Sequence, residues 1–330
     1  MKWKESPSIL LVLGALMLNG VEKVSQSRKE VLTKKDIDQM MTSLSNWGRW
    51  GKNDELGALN LLTPSKRREA AALVREGTSV SLAHNAIKVK EENSEPFDHR
   101  MVETGTQATS ESSSDIYSVQ YHGYTQTHMD ALCHLFYQGK MYNGFNQQDV
   151  SAKGASKLSI LQAKSGIFTR GVLVDLPSLL GVDYLKGAQA IYPEHLEAWE
   201  KRSGVKITSG DALLIRTGRW ARRAAQGPWN VEGDSAGLHA SCLPWIKKHD
   251  ISVLGSDLAS DVMPSGVEGV RMPVHQVVII AMGVPILDNC DLEELSKSCE
   301  KRKRWDFLLV VSPLAVDGGT GSPINPVAIL

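Results

Sequence analysis

Apolar residues in this chain gather into short runs of strand length, separated by polar segments of helix length. Gly166–Leu176, Gly210–Thr217 and Ile251–Asp257 are rich in Val, Ile and Leu and read as buried strands. Ser79–Leu82, Pro285–Asp288, Phe307–Val311 and Pro326–Leu330 read as further, shorter strands. Pro193–Arg202, Leu243–His249 and Leu292–Cys299 read as helices, and residues 28–45 as a polar helical stretch. Thr63 is placed to cap a helix with Pro64 in its first position, running to about Glu76 and stopped by Gly77. Residues 89–115, rich in Glu, Ser and Thr, read as a flexible loop, and Ile116 to His134 as strand and turn. Strands alternating with helices predict an α/β or mixed fold. There is no internal repeat, so one catalytic domain is expected over residues 28–330.

Residues 1–27 break this pattern. Lys2 and Lys4 precede an apolar run from Ser8 to Leu18, which has the length of a secretory leader and is short for a membrane span. A signal peptide or N-terminal anchor is expected there, with the protein exported to a periplasmic or extracellular compartment. No other segment reads as membrane-spanning. Lys plus Arg and Asp plus Glu each total 37, so the charge balance asks for neither a nucleic acid nor an anionic membrane as partner. The densest basic run, Lys301-Arg302-Lys303-Arg304, reads as a solvated helix end. Cys133, Cys242, Cys290 and Cys299 form no C-x-x-C pair. That argues against a thiolate zinc site and for buried free thiols.

The candidate chemistry sits in Thr127-His128-Met129-Asp130-Ala131-Leu132-Cys133-His134. On a strand, side chains i and i+2 share a face, so His128 and Asp130 can reach one cation. Two polar residues on one strand face are also often no more than a hydrogen-bonded pair. His134 is too far along to be simply the next ligand and suits a proton carrier beside a metal-bound water. A helix beginning at Ala131-Leu132-Cys133 would aim it back at the site. Zinc with nitrogen and oxygen ligands needs three protein groups. His275 is the best distant candidate, and the carboxylate Asp288 follows at a strand end. His84, His99, His195 and His249 read as surface residues, while His239 is left open. There is no G-x-S-x-G, H-E-x-x-H or Walker loop, and Gly318–Pro323 reads as a tight turn.

The run Tyr121–His134 resembles the signature H-x-G-T-H-x-D-x-P-x-H of the Putative cyclase family, which includes bacterial-type kynurenine formamidase and isatin hydrolase. Trp50–Asn60, Gly283–Asn289 and Gly319–Pro323 resemble further segments of that family. The resemblance implies a mixed α/β fold of the swivelling β/β/α kind and a homo-oligomer, dimer or tetramer. It also implies a divalent metal, Zn or Mn, and a small-molecule substrate. The implied activity is arylformamidase-like hydrolysis of an amide, formamide or cyclic amide or ester, such as N-formylkynurenine in tryptophan catabolism. His128 and Asp130 match ligand positions, His134 the acid/base position, His275 a later ligand and Asp288 a final carboxylate ligand. The family's first histidine falls on Tyr124. His122, two residues earlier, is expected on the same face and able to substitute. Gln126 and Leu132 replace the motif glycine and proline. Tyr124 and Trp50 are the expected substrate contacts. A non-catalytic small-molecule-binding protein with a degraded metal site is the alternative.

Overall fold

A nine-stranded sheet organises the protein. The structure is a computed structural model that describes residues 31–90 and 95–330. The expected leader lies outside the described residues. Across the sheet the strands run Ser79–Ser81, Val327–Ile329, Asp306–Val311, Ile167–Asp175, Ala212–Arg216, Val253–Ser256, Ile286–Asp288, His128–Asp130 and Gly321–Pro323. The central four, from Ile167–Asp175 to Ile286–Asp288, are parallel, and every other pairing is antiparallel. Ala212–Arg216 and Val253–Ser256 are buried at every position. That burial is why they read as continuous apolar runs rather than alternating ones. Helices Pro193–Ser203, Arg219–Gln226 and Leu243–His249 connect these parallel strands. The mixed α/β expectation holds.

Several local readings differ from the structure. The helix capped by Thr63, whose side chain accepts from the Lys66 amide, ends at Ala71 rather than near Glu76. The amides of Glu76 and Gly77 are instead taken by the carbonyl of Leu330, and Arg304 donates to the carbonyl of Leu73. Tertiary hydrogen bonds from the C-terminal region thus replace the last helical turn. The basic run that supplies Arg304 is accordingly not only a solvated end, since Arg302 also pairs with Glu76 at 2.7 Å. Within the stretch read as a loop, Asp98–Glu103 and Ser114–Ser118 pair as an antiparallel ribbon. Both strands are largely exposed, so neither face needed the period-two apolar pattern that reveals a strand. The segment expected as strand from Ile116 holds only Ser114–Ser118 and His128–Asp130, with bends between. No helix starts at Ala131; a single turn closes there, from the His134 amide to the Ala131 carbonyl at 3.0 Å.

All four cysteines are buried and free. Burial pushes the Cys133 and Cys299 thiols up to about 12 and raises Cys242 and Cys290 as well. A thiolate is the reactive form. Native protein at pH 8 is therefore expected to react negligibly with a disulfide reagent such as DTNB, and to release four equivalents in denaturant. Rapid labelling of any of them in the native state would contradict this packing.

Candidate metal centre

The site forms where the edge of the parallel sheet meets its antiparallel extension. Asp288 ends one parallel strand and lies directly opposite His128 in the antiparallel register, so their side chains share a face. Asp130 lies on that same strand face, two residues along. On the other side Gly321 is paired with Asp130. A Cβ at Gly321 would come within 2.9 Å of the His122 ring and 2.5 Å of the Met129 carbonyl. The missing side chain leaves room for His122 against the strand.

One carboxylate collects the imidazoles. Asp130 Oδ1 is 2.9 Å from His122 Nδ1 and 3.4 Å from His128 Nε2, while Oδ2 is 3.8 Å from both His134 Nε2 and His275 Nε2. Asp288 Oδ2 is 3.2 Å from His275 Nε2 and 4.0 Å from His128 Nε2. Two groups within this cluster have donor atoms close enough together to share an ion: His122, Asp130 and His134, and His128, Asp130 and Asp288. His128, Asp130 and His275 are almost wholly buried, whereas the side chains of His122 and His134 keep about a quarter of their surface exposed.

Each buried imidazole is held by its other nitrogen. His128 Nδ1 donates to the Gln126 carbonyl at 2.8 Å, which turns its Nε2 lone pair inward. His275 Nδ1 is 2.8 Å from Asp261 Oδ2, and the Asp261 carboxylate also accepts from the amides of Val274 and His275. Asp261 therefore fixes both the ring and the start of the helix that carries it. His275 sits in Pro273–Gln276, and the chain continues into a π-helical turn at Val277–Ala281. His122 Nε2 meets Thr320 Oγ1 at 3.0 Å, and its ring stacks on His134 at 3.9 Å between centroids.

The charges respond to this crowding. Burial opposes ionisation of Asp130, yet the surrounding histidines His134, His122 and His128 hold it well below the usual carboxylate range. Burial would depress His275, but Asp288 and Asp261 raise it well above the ordinary imidazole value, and Asp130 raises His128 in the same way. His134 goes the other way: burial lowers it to about 4, with Asp130 opposing.

Does a cation fit? His122 Nδ1, Asp130 Oδ1 and Asp288 Oδ1 are buried and make no hydrogen bond, although the first two stand 2.9 Å apart. Buried carboxylate oxygens left without a hydrogen bond beside several imidazoles are what a divalent ion can satisfy, and all the donors are nitrogen or oxygen.

Of the residues singled out in the sequence, His122, His128, Asp130, His134, His275 and Asp288 are brought together. His122 arrives by a route other than the expected one. It lies in a bend, so the shared strand face with Tyr124 does not exist. Tyr124 is buried in a small separate cluster with Val231, Leu258 and Ala259, and its hydroxyl is 3.1 Å from Arg271. Trp50 packs against the main core beneath Arg49, whose guanidinium is 4.5 Å from its ring. His84, read as a surface residue, is half-buried and stacked on Trp220 at 3.7 Å. Asp261, Asn289 and Thr320 were not singled out. Asn289 and Thr320 lie in the segments Gly283–Asn289 and Gly319–Pro323 that resemble the family, whereas Asp261 offers only a position after a buried strand, which many polar residues share.

Comparison with known proteins gives this arrangement a family. The model of the family described as Putative cyclase matches residues 62–261. A crystal structure described as a novel cyclase is 30% identical and superimposes with a TM-score of 0.78, covering 87% of this chain and 100% of the other. The chain belongs to the Putative cyclase family. Isatin hydrolase A from Ralstonia solanacearum is 19% identical, with a TM-score of 0.55 over 79% of this chain and 93% of its own. An isatin hydrolase bound to the product analogue thioisatinate is 16% identical, with a TM-score of 0.55 over 82% of this chain and 98% of its own. These two share the fold. No curated protein matches the chain by sequence.

Proposed function

We propose that the chain is a divalent-metal-dependent hydrolase that opens an amide, formamide or cyclic amide or ester bond in a small aromatic substrate. The observation that carries this reading is the convergence of imidazole and carboxylate donors on Asp130, in the groups His122, Asp130 and His134 and His128, Asp130 and Asp288, with Asp288 Oδ1 buried and unbonded. Leaving such atoms unsatisfied costs about 1–3 kcal/mol each, and more when they are charged. His128, Asp130, Asp288 and His275 would hold the ion, with His122 at its edge. Donors without thiolate suit zinc or manganese. When bound, such an ion polarises a carbonyl and brings the pKa of water down to about 7.

The chain's own residues position and move the proton. Asp261 and the Gln126 carbonyl keep the inner imidazoles in the tautomers that face the centre. His134 stands at the rim with about a quarter of its side chain exposed. At Nε2 it accepts a proton from the attacking water and returns it to the leaving nitrogen. Isatin hydrolase, whose fold this chain shares, acts by its name on a cyclic aromatic amide.

The test is elemental analysis of purified protein followed by assays against N-formylkynurenine, isatin and simple lactones. Hydrolysis of at least one is expected, abolished by a chelator and restored by zinc or manganese. Protein that binds these compounds without metal and without turnover would instead fit a binding protein with a degraded centre.

A further inference from the structure

Asn289 follows Asp288 and is completely buried with a left-handed backbone, φ 55°. Few residues other than glycine accept that conformation, and asparagine is among them. Its side chain is fully engaged. Nδ2 donates to the carbonyls of Gly123 at 2.8 Å and Gln126 at 3.1 Å, and Oδ1 accepts from Arg219 Nη1 at 2.6 Å. Its main chain is tied to the same loop, since its carbonyl accepts from Thr127 Oγ1 at 2.8 Å. Arg219, itself buried, donates through Nη2 to the carbonyl of Tyr124. Asn289 and Arg219 therefore grip the carbonyls of residues 123, 124 and 126 and the hydroxyl of Thr127.

That loop is the connection between His122 and His128, and it has no regular secondary structure of its own to hold it. The Gln126 carbonyl has a second role, because it also accepts from His128 Nδ1. The atom that selects the His128 tautomer is thus held in place by the residue next to Asp288. We propose that Asn289, backed by Arg219, is a positioning residue that sets the metal affinity of the centre. It does so by fixing the loop that spaces His122 from His128. This rests on the metal-centre reading above. The Gln126 carbonyl is the direct hydrogen-bond partner of His128, losing such a partner typically changes affinity by 10- to 100-fold, and Asn289 acts through it.

The experiment titrates metal-free protein with Co²⁺, reading both affinity and the visible absorption bands, which report ligand geometry. Asn289→Gly keeps the backbone conformation and removes both donors. Asn289→Asp keeps the volume and turns an oxygen toward the two carbonyls. Both are expected to bind Co²⁺ roughly 10- to 100-fold more weakly, with shifted bands, at temperatures where circular dichroism shows them folded. Arg219→Lys keeps the charge and leaves Asn289 in place. It is expected to shift affinity and bands in the same direction by less, and it decides the matter should both Asn289 variants unfold. Folded variants with the parent's affinity and bands would overturn the role assigned to Asn289. A parent protein that takes up no Co²⁺ would overturn the metal reading itself.

Discussion

Asp130→Asn is expected to lose bound metal and to lower turnover more than about 100-fold, beyond the 10- to 100-fold typical of losing an outer partner of a ligand. The reason is the position of this one carboxylate. Its two oxygens face His122, His128, His134 and His275, and both candidate ion-binding groups include it. Among the described residues, no other carboxylate pairs with all four imidazoles. Asparagine keeps the volume but removes the charge, so the loss reports on ligation rather than on a cavity. Stability should change too. In metal-free protein the carboxylate offsets imidazoles that Asp130 and its neighbours push toward protonation. Breaking a buried charge pair costs about 3–5 kcal/mol, so the variant should melt earlier even without metal. Added zinc should then raise the melting temperature of the parent and leave the variant where it is. Full metal stoichiometry in Asp130→Asn would remove Asp130 from the centre.

The legibility of this site in the sequence divides along physical lines. His128 and Asp130 were readable because the two-residue period of a strand is local, and the strand proved to be only His128–Asp130. The link from His128 to Asp288 was not readable, since it depends on an antiparallel register between strands far apart in the chain. His275 stood out as a histidine among apolar residues, but its partner Asp261 did not. A carboxylate after a buried strand is common, and only the folded loop shows it beneath the imidazole. His122 is instructive in another way. Residues 122–126 bend, so His122 shares no strand face with Tyr124. His122 reaches Asp130 because Gly321, on a different strand, has no side chain. For the fold, buried parallel strands announced themselves by composition, whereas the exposed ribbon at Asp98–Ser118 carried no burial pattern to read.

His134→Ala is expected to cut turnover by roughly 10²- to 10⁴-fold, the cost of a lost proton carrier, with the metal still bound. Exposure and placement suit His134 to this role. His134 is carried by the Ala131–His134 turn rather than by the strand, so it stands off the face that bears His128 and Asp130. Its side chain is 26% exposed against 1% for Asp130, so water and substrate can reach it. Its Nε2 lies 3.8 Å from Asp130 Oδ2, and stacking on His122 holds the ring in one orientation. An opposing possibility is built into the same geometry, because His122, Asp130 and His134 are themselves close enough to share an ion. Metal stoichiometry and turnover measured on one preparation separate the two. If the centre keeps its metal while turnover collapses, His134 carries the proton. If metal and turnover fall together, it is a ligand, and the proton must be carried by another group. Unchanged turnover would leave His134 only the task of bracing His122, through the ring stack that joins them.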